Sequence, residues 1–316
     1  MKCAKKIIYM DGGLASQMSA YAFFIYLKSK GLEPEIDFVW YKRLGRDKYK
    51  LKEVFNIDVL EYKGSFKYSV FISNNIVAKL LRKTNLLRLL ITTGIIQKLY
   101  YTIKPPWGGL IFNIDHLPSE TFDANREMYF WGYWPMGGFL FQIRDQLISR
   151  FTFPKFNETN NINLAEDINL NNSVSVHVRK GDYLHHKEVF AEVTLNYYKN
   201  AVKFIKENVN NPKFYVFSDD IRWCEQEFDK LGMTNSNTVF INWNYGDKSY
   251  RDMQLMSLCK HNIITNSGFS TWAAFLNQNP DKVVVKPKEY FTKEWIMVNG
   301  EAGNNTFGSK WMDMDN

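Results

Sequence analysis

The chain has 316 residues, of which 45% are hydrophobic and 23% charged, a composition that fits a soluble globular protein and excludes a disordered or fibrous one. Its length exceeds one typical hydrophobic core, so two domains are expected. Forty lysines and arginines against 33 aspartates and glutamates give a formal net charge of +7, which favours anionic partners such as nucleotides, phospholipid surfaces or nucleic acid without choosing among them.

The first half opens with a strand, a glycine turn and a helix. Residues 7–10 are apolar and predict a strand, Gly12 and Gly13 predict a turn, and residues 16–29, followed by Gly31, predict a helix. A second strand is predicted over 34–40. The next hundred residues are irregular, with helical patches near 76–100 and an aromatic loop region over 128–141.

The second half alternates regularly between apolar strands and helices. Strands are predicted at 173–178, 213–218, 238–241, 261–265 and 282–286, and helices near 194–208, 221–231, 250–259 and 269–278. This order predicts a parallel sheet covered on both faces, as in doubly wound α/β domains. The Asn-rich stretch 153–173 indicates a boundary, so we expect domains over 1–165 and 166–316.

Cysteine usage and terminal composition favour a cytoplasmic protein. Cys3, Cys224 and Cys259 form no CxxC pair, which argues against a disulfide framework or a structural zinc site. The first apolar stretch is too short for a signal peptide. Six lysines and arginines interrupt the apolar region 76–104, which predicts either a basic helix resting on an anionic membrane surface or a helix packed on the first domain with a solvated basic face.

Three predicted strands of the second half end in polar residues. Parallel sheets bind ligands beyond the carboxyl ends of their strands, so these ends are candidate sites. After the first strand comes Arg179, whose guanidinium suits a phosphate and stays charged, although a surface ion pair with Asp182 or another carboxylate is an equal alternative. His177 fits a packing residue or a site residue, and Gly181 allows a turn.

The other two ends combine helix caps with possible ligand contacts. Ser218, Asp219 and Asp220 are typical caps, and one of the carboxylates could instead accept hydrogen bonds from a guanine. Backbone amides and hydroxyls at the start of the helix near 269–278 could bind an anion, or could serve only as a polar cap. That region contains Asn266, Ser267, Phe269 and Ser270.

Together the three ends predict a pocket for a nucleotide diphosphate. The chain contains neither a GxxxxGK[ST] motif nor a GxGxxG motif after a strand, so a nucleotide sugar is favoured over a nucleoside triphosphate or a dinucleotide. The aspartates after the second strand could hold a metal-bound diphosphate, but Arg179 makes a metal less necessary.

Four segments resemble the α-1,2-fucosyltransferases of glycosyltransferase family 11. "HVRKGDY" (177–183) is similar to the HxRRxDY motif, and "GGLASQMSAYAFFIYL" (12–27) to the GGLGNQxxQYAxxxxL opening of that family. "YVFSDDIRWC" (215–224) and the long "SYRDMQLMSLCKHNIITNSGFSTWAAFLN" (249–277) agree in order and spacing. The matches run from residue 9 to about residue 290.

The resemblance implies a GT-B fold of two Rossmann-like domains facing a cleft, with GDP-fucose bound mainly by the second domain. It implies inverting transfer of fucose to the 2-hydroxyl of a galactosyl acceptor, with no cofactor or metal and no nucleic-acid partner. Arg179 would act on the β-phosphate, with His177 and Asp182 shaping the catalytic pocket. The donor-side residues would be Lys180, Ser218, Asp219, Asp220, Asn266, Ser267, Phe269 and Ser270, and the acceptor or fucose side would be formed by Gly12, Gly13, Ser16 and Gln17.

Five residues depart from the family pattern, of which Gly268 and Thr271 stand at positions that vary or are usually larger. Lys180 replaces a second arginine and loses the bidentate fork, while Ala15 and Ser16 replace the usual glycine and asparagine. These changes allow altered acceptor choice or lower activity. If the basic stretch 76–104 rests on a membrane surface, we expect contact with membrane lipid or lipid-linked glycans at the inner face of the membrane.

The general base and the overall function keep alternatives. Asp11, Asp182, Glu188 and Glu192 are candidates for the base, and a departing phosphate oxygen could also take the proton. The chain could be a same-fold transferase with another nucleotide sugar or acceptor, or a non-enzymatic basic RNA-binding or scaffold protein. It lacks an RNP-type aromatic strand and a Gly-rich KH loop, which disfavours RNA binding.

Overall fold

A computed structural model of the chain describes residues 5–38, 40–41, 49–63, 80, 84, 122–125, 128–130, 138–181, 186–294 and 311–316. The chain forms two compact units and passes from the first to the second between Thr152 and Phe153.

The first unit contains a three-stranded parallel sheet in the order β2-β1-β3. Its elements are β1 (Lys6–Tyr9), α1 (Leu14–Ser29), β2 (Pro34–Asp37), α2 (Lys50–Phe55), β3 (Met128–Phe130), α3 (Gly138–Gln142) and α4 (Arg144–Arg150). All four residues of β1 are buried because the strand is central in the sheet. Helix α1 begins directly after the glycine turn and buries Gln17 through Leu27.

The second unit contains a six-stranded parallel sheet. Its elements are α5 (Thr159–Leu170), β4 (Asn172–Val178), α6 (Leu195–Asn208), β5 (Pro212–Ser218), α7 (Ile221–Glu227), β6 (Thr238–Ile241), α8 (Tyr250–Leu258), β7 (His261–Ile263), α9 (Gly268–Leu276), β8 (Val284–Pro287) and β9 (Trp311–Met314). Short 3₁₀ helices cover Phe228–Leu231 and Gly246–Lys248. Two units that each contain a parallel sheet and helices confirm the predicted α/β class.

Strand β4 lies at the point where the strand order reverses. The order β6-β5-β4-β7-β8-β9 places the earlier crossovers on one side of β4 and the later ones on the other. Ligands in such sheets bind at this switch point, beyond the carboxyl ends of the two central strands. The fold therefore directs attention to the residues after β4 and β7.

The core of the second unit is built around β4 and α6. Val174, Val176 and Val178 are fully buried, and a helix stripe containing Tyr197, Ala201 and Ile205 packs in the same cluster. Burial of each such aliphatic side chain contributes about 1.5–3 kcal/mol. The hydroxyl of Thr194 accepts a hydrogen bond from the Tyr197 amide at 3.4 Å and caps α6. This packing fixes the strand from which Arg179 emerges.

The structure differs from the sequence prediction at several boundaries. Helix α5 occupies most of the stretch that the Asn-rich composition suggested as a linker, and the expected domain boundary at residue 165 lies inside this helix. Strand β9, which has no counterpart in the prediction, pairs with β8. The predicted helical patches near 76–100 lie outside the described residues, apart from Leu80 and Thr84.

Candidate active site

The carboxyl ends of β4 and β7 form the candidate site of the second unit. Val176 of β4 pairs with Ile263 of β7, so Arg179 and Asn266, each three residues further along, leave the sheet at the same edge. The sequence predicted that these two strand ends meet, and the register brings them together. Asp182, which the sequence predicted beside them, lies outside the described residues.

Asp219 from the neighbouring strand end holds the turn after β4. Its carboxylate accepts hydrogen bonds from the backbone amides of Lys180 at 2.8 Å and Gly181 at 3.0 Å. The same carboxylate forms an ion pair with Arg179, whose Nε atom lies 3.3 Å from Asp219 Oδ2. Charge-assisted bonds of this kind are stronger than neutral ones, so one side chain organises three consecutive residues of the turn.

Ser218 and Asp220 act as caps in the structure. The Ser218 hydroxyl accepts from the Asp220 amide at 2.9 Å, and the Asp220 carboxylate accepts from the Trp223 amide at 3.1 Å at the start of α7. Lys180 extends over the Trp223 ring, with its Nζ atom 4.2 Å from the ring centroid. A contact of any of these residues with guanosine stays a prediction.

His177 is buried at the end of β4 beside the phenylalanine of the third strand end. Its side chain is 5% exposed, and its Nδ1 atom has no hydrogen-bond partner among the described residues. Its ring lies 5.8 Å from that of Phe269, centroid to centroid. Burial, together with the nearby Arg179 charge, lowers the pKa of His177 to about 3. The imidazole is therefore neutral at physiological pH and is suited to packing or hydrogen bonding rather than proton transfer.

Asn266 ties two neighbouring loops to the end of β7. Its amide nitrogen donates to the backbone carbonyls of Ala191 at 2.8 Å and Tyr290 at 3.0 Å. The hydroxyl of Ser267 accepts from the Phe269 amide at 3.4 Å and caps α9. These contacts give Asn266 and Ser267 structural tasks at the predicted diphosphate site.

The hydroxyl of Ser270 is also engaged within α9. This residue is fully buried, and its hydroxyl donates to the Ser267 carbonyl at 3.4 Å. Contact of Asn266, Ser267, Phe269 or Ser270 with a diphosphate stays a prediction.

In the first unit, the glycine turn after β1 is organised by Gln17. Gly12 has a φ of +71°, which glycine adopts without strain. Gln17 is fully buried, donates to the Gly12 carbonyl at 3.3 Å and accepts from the Leu51 amide at 3.2 Å. A Cβ atom on Gly12 would lie 2.8 Å from Ser16 Oγ, so the small Ser16 side chain already fills this turn. Gly13 precedes α1 as its cap residue, with extended backbone.

Asp11 stands between β1 and this turn. Burial raises the pKa of its carboxyl group to about 6. The hydroxyl of Tyr41 donates to the Gly12 carbonyl at 2.9 Å and so lies in the same turn. A carboxylate with this pKa takes and releases protons close to physiological pH, which is the property expected of a general base.

Sequence reasoning missed the role of Asp219 and a second polar cluster. Asn161 of α5 donates to Asn244 Oδ1 at 2.9 Å and accepts from Trp243 Nε1 at 2.8 Å, while Asn244 donates to Asp252 at 2.8 Å. Loss of water around Asp252 raises its pKa to about 7. The Asn-rich composition that suggested a linker was the one sequence signal for this cluster.

Within the ranges that the structure describes, no group of three or more His, Cys, Asp or Glu side chains is arranged to hold a metal ion. Across the same ranges, none of the helices combines the length and the apolar character that a membrane crossing requires.

Comparison with known proteins gives one family and several relatives. The model of the family described as glycosyl transferase family 11 matches residues 10–313. An alpha-1,2-colitosyltransferase of Escherichia coli is 34% identical over 168 residues, which cover 52% of this chain and 57% of that protein. The O-antigen biosynthesis glycosyltransferase WbnK of Escherichia coli is 28% identical over 320 residues, which cover 94% of this chain and 95% of that protein.

Two weaker matches are a vertebrate enzyme and a solved structure. The galactoside 2-alpha-L-fucosyltransferase SEC1 of Bos taurus is 24% identical over 209 residues, covering 60% of this chain and 54% of that protein. The match thus spans little more than half of the colitosyltransferase and of SEC1. A crystal structure of a glycosyl transferase family 9 protein from Veillonella parvula aligns with a TM-score of 0.43 and 9% identity, covering 99% of this chain and 87% of that chain.

Proposed function

The chain belongs to glycosyl transferase family 11, and from this premise we propose that it transfers L-fucose from GDP-fucose to the 2-hydroxyl of a galactosyl acceptor. Glycosyl transfer follows from the family itself. The choice of fucose and of the 2-hydroxyl is supported by the name of the SEC1 relative, a galactoside 2-alpha-L-fucosyltransferase.

One observation carries the proposal: Arg179 lies at the carboxyl end of β4, at the switch point of the sheet, and Asp219 holds it there. A nucleotide diphosphate bound at this edge would meet a guanidinium that cannot lose its charge. Lys180, the next residue, adds a second positive charge. This is the charge that a departing GDP requires.

The proposed reaction is a single displacement with inversion. The acceptor 2-hydroxyl attacks the anomeric carbon of fucose from the face opposite GDP, and the bond between that carbon and the β-phosphate oxygen breaks. Negative charge grows on the phosphate as the bond breaks, and Arg179 stabilises it more in the transition state than in the bound donor. Interactions of this kind are worth about 2.7–4 kcal/mol when a single donor is removed.

The proton of the acceptor hydroxyl must leave during the attack. Among the predicted bases that the structure describes, Asp11 has the pKa that suits this role, about 6. Asp182, Glu188 and Glu192 remain alternatives, as does a phosphate oxygen of the leaving GDP. Arg179 and Lys180 supply the positive charge that a metal ion provides in other transferases, so we propose that the reaction needs no metal or other cofactor.

The experiment uses GDP-[14C]fucose, a panel of β-galactosides and a chelator. The proposal expects labelled product that an α-1,2-specific fucosidase releases, and an unchanged rate with EDTA. Absence of transfer to every galactoside, in protein whose thermal unfolding is cooperative, would contradict it. A thermal-shift assay with GDP and with UDP tests whether the protein uses a different nucleotide sugar. Only the nucleotide of the true donor should raise the unfolding temperature.

A second donor, GDP-colitose, is favoured by one observation. The colitosyltransferase is 34% identical to this chain over the matched 168 residues. Colitose lacks the 3-hydroxyl of fucose, and a site built to bind that hydroxyl would reject colitose by about 10⁴-fold. Comparing kcat/KM for the two donors decides between them.

We also propose that the protein acts in the cytoplasm and makes peripheral contact with membrane lipid or a lipid-linked glycan. The support is the six basic residues among apolar ones in 76–104, a segment that falls mostly outside the described residues. Cosedimentation with anionic vesicles, lost at high salt, is the expected result. Equal sedimentation with neutral vesicles would contradict an electrostatic contact.

A further inference from the structure

We propose that Asp219 is a positioning residue that sets the guanidinium of Arg179 for the diphosphate, and that it does not read the nucleobase. This inference rests on the proposed function, because it assumes that a GDP-sugar binds at the end of β4. The sequence had predicted a different task for the residue, a contact with guanosine.

The contacts of Asp219 all point back into the protein. Its two carboxylate oxygens take the amides of Lys180 at 2.8 Å and Gly181 at 3.0 Å, and the Arg179 Nε atom lies 3.3 Å away. A carboxylate that holds three donors of one turn fixes both the backbone and the side chain that the turn presents. The contact to Arg179 is made through its Nε atom.

The negative charge of Asp219 should oppose the binding of a diphosphate, whereas its position should favour it. A carboxylate so close to the Arg179 guanidinium weakens the attraction of this edge for a diphosphate, because like charges repel across a partly buried site. The side chains of Arg179 and Asp219 are 33% and 23% exposed, respectively, so water screens this repulsion only in part. An anion site keeps such a residue only if its geometric role outweighs its charge.

The turn itself is shaped to admit this carboxylate. A Cβ atom on Gly181 would lie 2.7 Å from Asp219 Oδ2, closer than real Cβ contacts allow. The absence of a side chain at position 181 is therefore what permits the carboxylate to lie against the amide. Asp220, one residue further, turns the other way and caps α7.

The test is Asp219→Asn, because charge and position predict opposite results for it. Asparagine removes the repulsion, so an account based on charge alone expects tighter GDP binding. It also offers one acceptor and a donor where the aspartate offers only acceptors, so it cannot serve all three donors of the turn. The positioning account expects a Kd for GDP that rises, within the range of roughly twofold to 150-fold that coupled neighbours span.

Calorimetry with GDP and with guanosine separates the possible roles. We expect Asp219→Asn to weaken the binding of GDP and to leave the binding of guanosine unchanged. We also expect the double variant Arg179→Ala, Asp219→Asn to bind GDP no more weakly than Arg179→Ala alone. Equal weakening of GDP and guanosine would overturn the inference in favour of base recognition. Tighter GDP binding, or additive losses in the double variant, would also overturn it.

Two further variants serve as a charge control and as a second test of position. Asp229→Asn removes one negative charge from an exposed position of the same unit and should leave GDP binding unchanged. Asp219→Glu keeps the charge but moves the carboxylate by one methylene, so it tests the position of the carboxylate even if the asparagine variant unfolds. It should also raise the Kd for GDP. An unchanged Kd would overturn the inference. If the unmodified protein binds no GDP, the proposed function itself fails and this inference falls with it, whereas GDP binding that ignores Asp219 leaves the function intact.

Discussion

Gly181 lies so close to Asp219 that an added Cβ atom would stand 2.7 Å from its Oδ2 atom. Gly181→Ala should therefore push the carboxylate out of the turn, lower kcat/KM for the donor about tenfold to a hundredfold and leave the fold intact. Steady-state kinetics with GDP-fucose measures this. Gly31→Ala is the control, because an added Cβ atom there would have no other atom within 4 Å. The only cost to the alanine would be the positive φ of +77°.

The control should lose about 1–2 kcal/mol of stability, because alanine is strained in the left-handed region, and no activity. Gly181→Ala with normal kcat/KM would contradict the importance of the Asp219 contact.

His177 should make the protein sensitive to acid. Its pKa in the fold is about 3, below its ordinary value, because burial and Arg179 disfavour the charged ring. The unfolded chain therefore binds the proton more readily between about pH 6.5 and pH 3, and the free energy of unfolding falls as the pH falls through this window. His177→Phe keeps a ring against Phe269 and should flatten this part of the profile.

Urea unfolding at pH 7 and pH 5 measures the effect. His186→Gln is the matched control, since the His186 side chain is 58% exposed and its replacement should leave the difference between the two pH values as it is. An unchanged difference in His177→Phe would show that the ring does not carry the acid sensitivity.

Asp252 should give the free energy of unfolding a pH dependence opposite to that of His177. Its pKa in the fold is about 7, raised above the ordinary value by loss of water around the carboxyl group. The folded state then binds the proton more readily between about pH 4 and pH 7, so the free energy of unfolding decreases as the pH rises through this window. Asp252→Asn keeps an oxygen acceptor for Asn244 and should remove this decrease. Urea midpoints across the window test it, with Asp229→Asn as the control.

Much of the second unit could be predicted from the sequence because its signals are local. The alternation of apolar strands and helices predicts the parallel sheet, and strand β4 starts one residue earlier than predicted and ends at the same residue. The glycine turn and its helix are equally local, although α1 starts at Leu14 rather than Ser16. These elements follow from spacing alone.

The elements that were missed depend on distant partners. Helix α5 buries Asn161, Leu164 and Ile168, but burial of an asparagine becomes favourable only when Asn244 and Trp243 satisfy its amide group. Strand β9 forms because β8 offers it an edge. Such pairings are invisible in a short window of sequence.

In the candidate site, too, local features could be predicted from the sequence, whereas contacts with distant partners could not. The motif residues could be named from the sequence, but Ser218, Asp219 and Asp220 all look like helix caps there. Only the structure shows that Asp220 caps α7 while Asp219 turns to the neighbouring strand. Composition cannot tell which of two adjacent carboxylates faces which partner.

Asp11 should control the acid limb of the rate profile if it is the general base. With a pKa of about 6, it loses its proton-accepting form below that pH, so kcat/KM should fall as the pH drops below about 6. Asp11→Asn should lower kcat about 10²–10⁴-fold and abolish that limb. Asp182→Asn, Glu188→Gln and Glu192→Gln serve as comparisons, and a normal rate in Asp11→Asn would return the role to one of these three residues or to the leaving phosphate.

The most direct test of the account is the rate of fucose transfer from GDP-[14C]fucose by Arg179→Ala beside the unmodified protein, with saturating β-galactoside and chelator present. The proposed role of the guanidinium at the end of β4 is to stabilise the charge on departing GDP, so kcat should fall about 10²–10³-fold, and Arg179→Lys should recover only part of the loss. A kcat for Arg179→Ala within threefold of the unmodified protein would contradict the account.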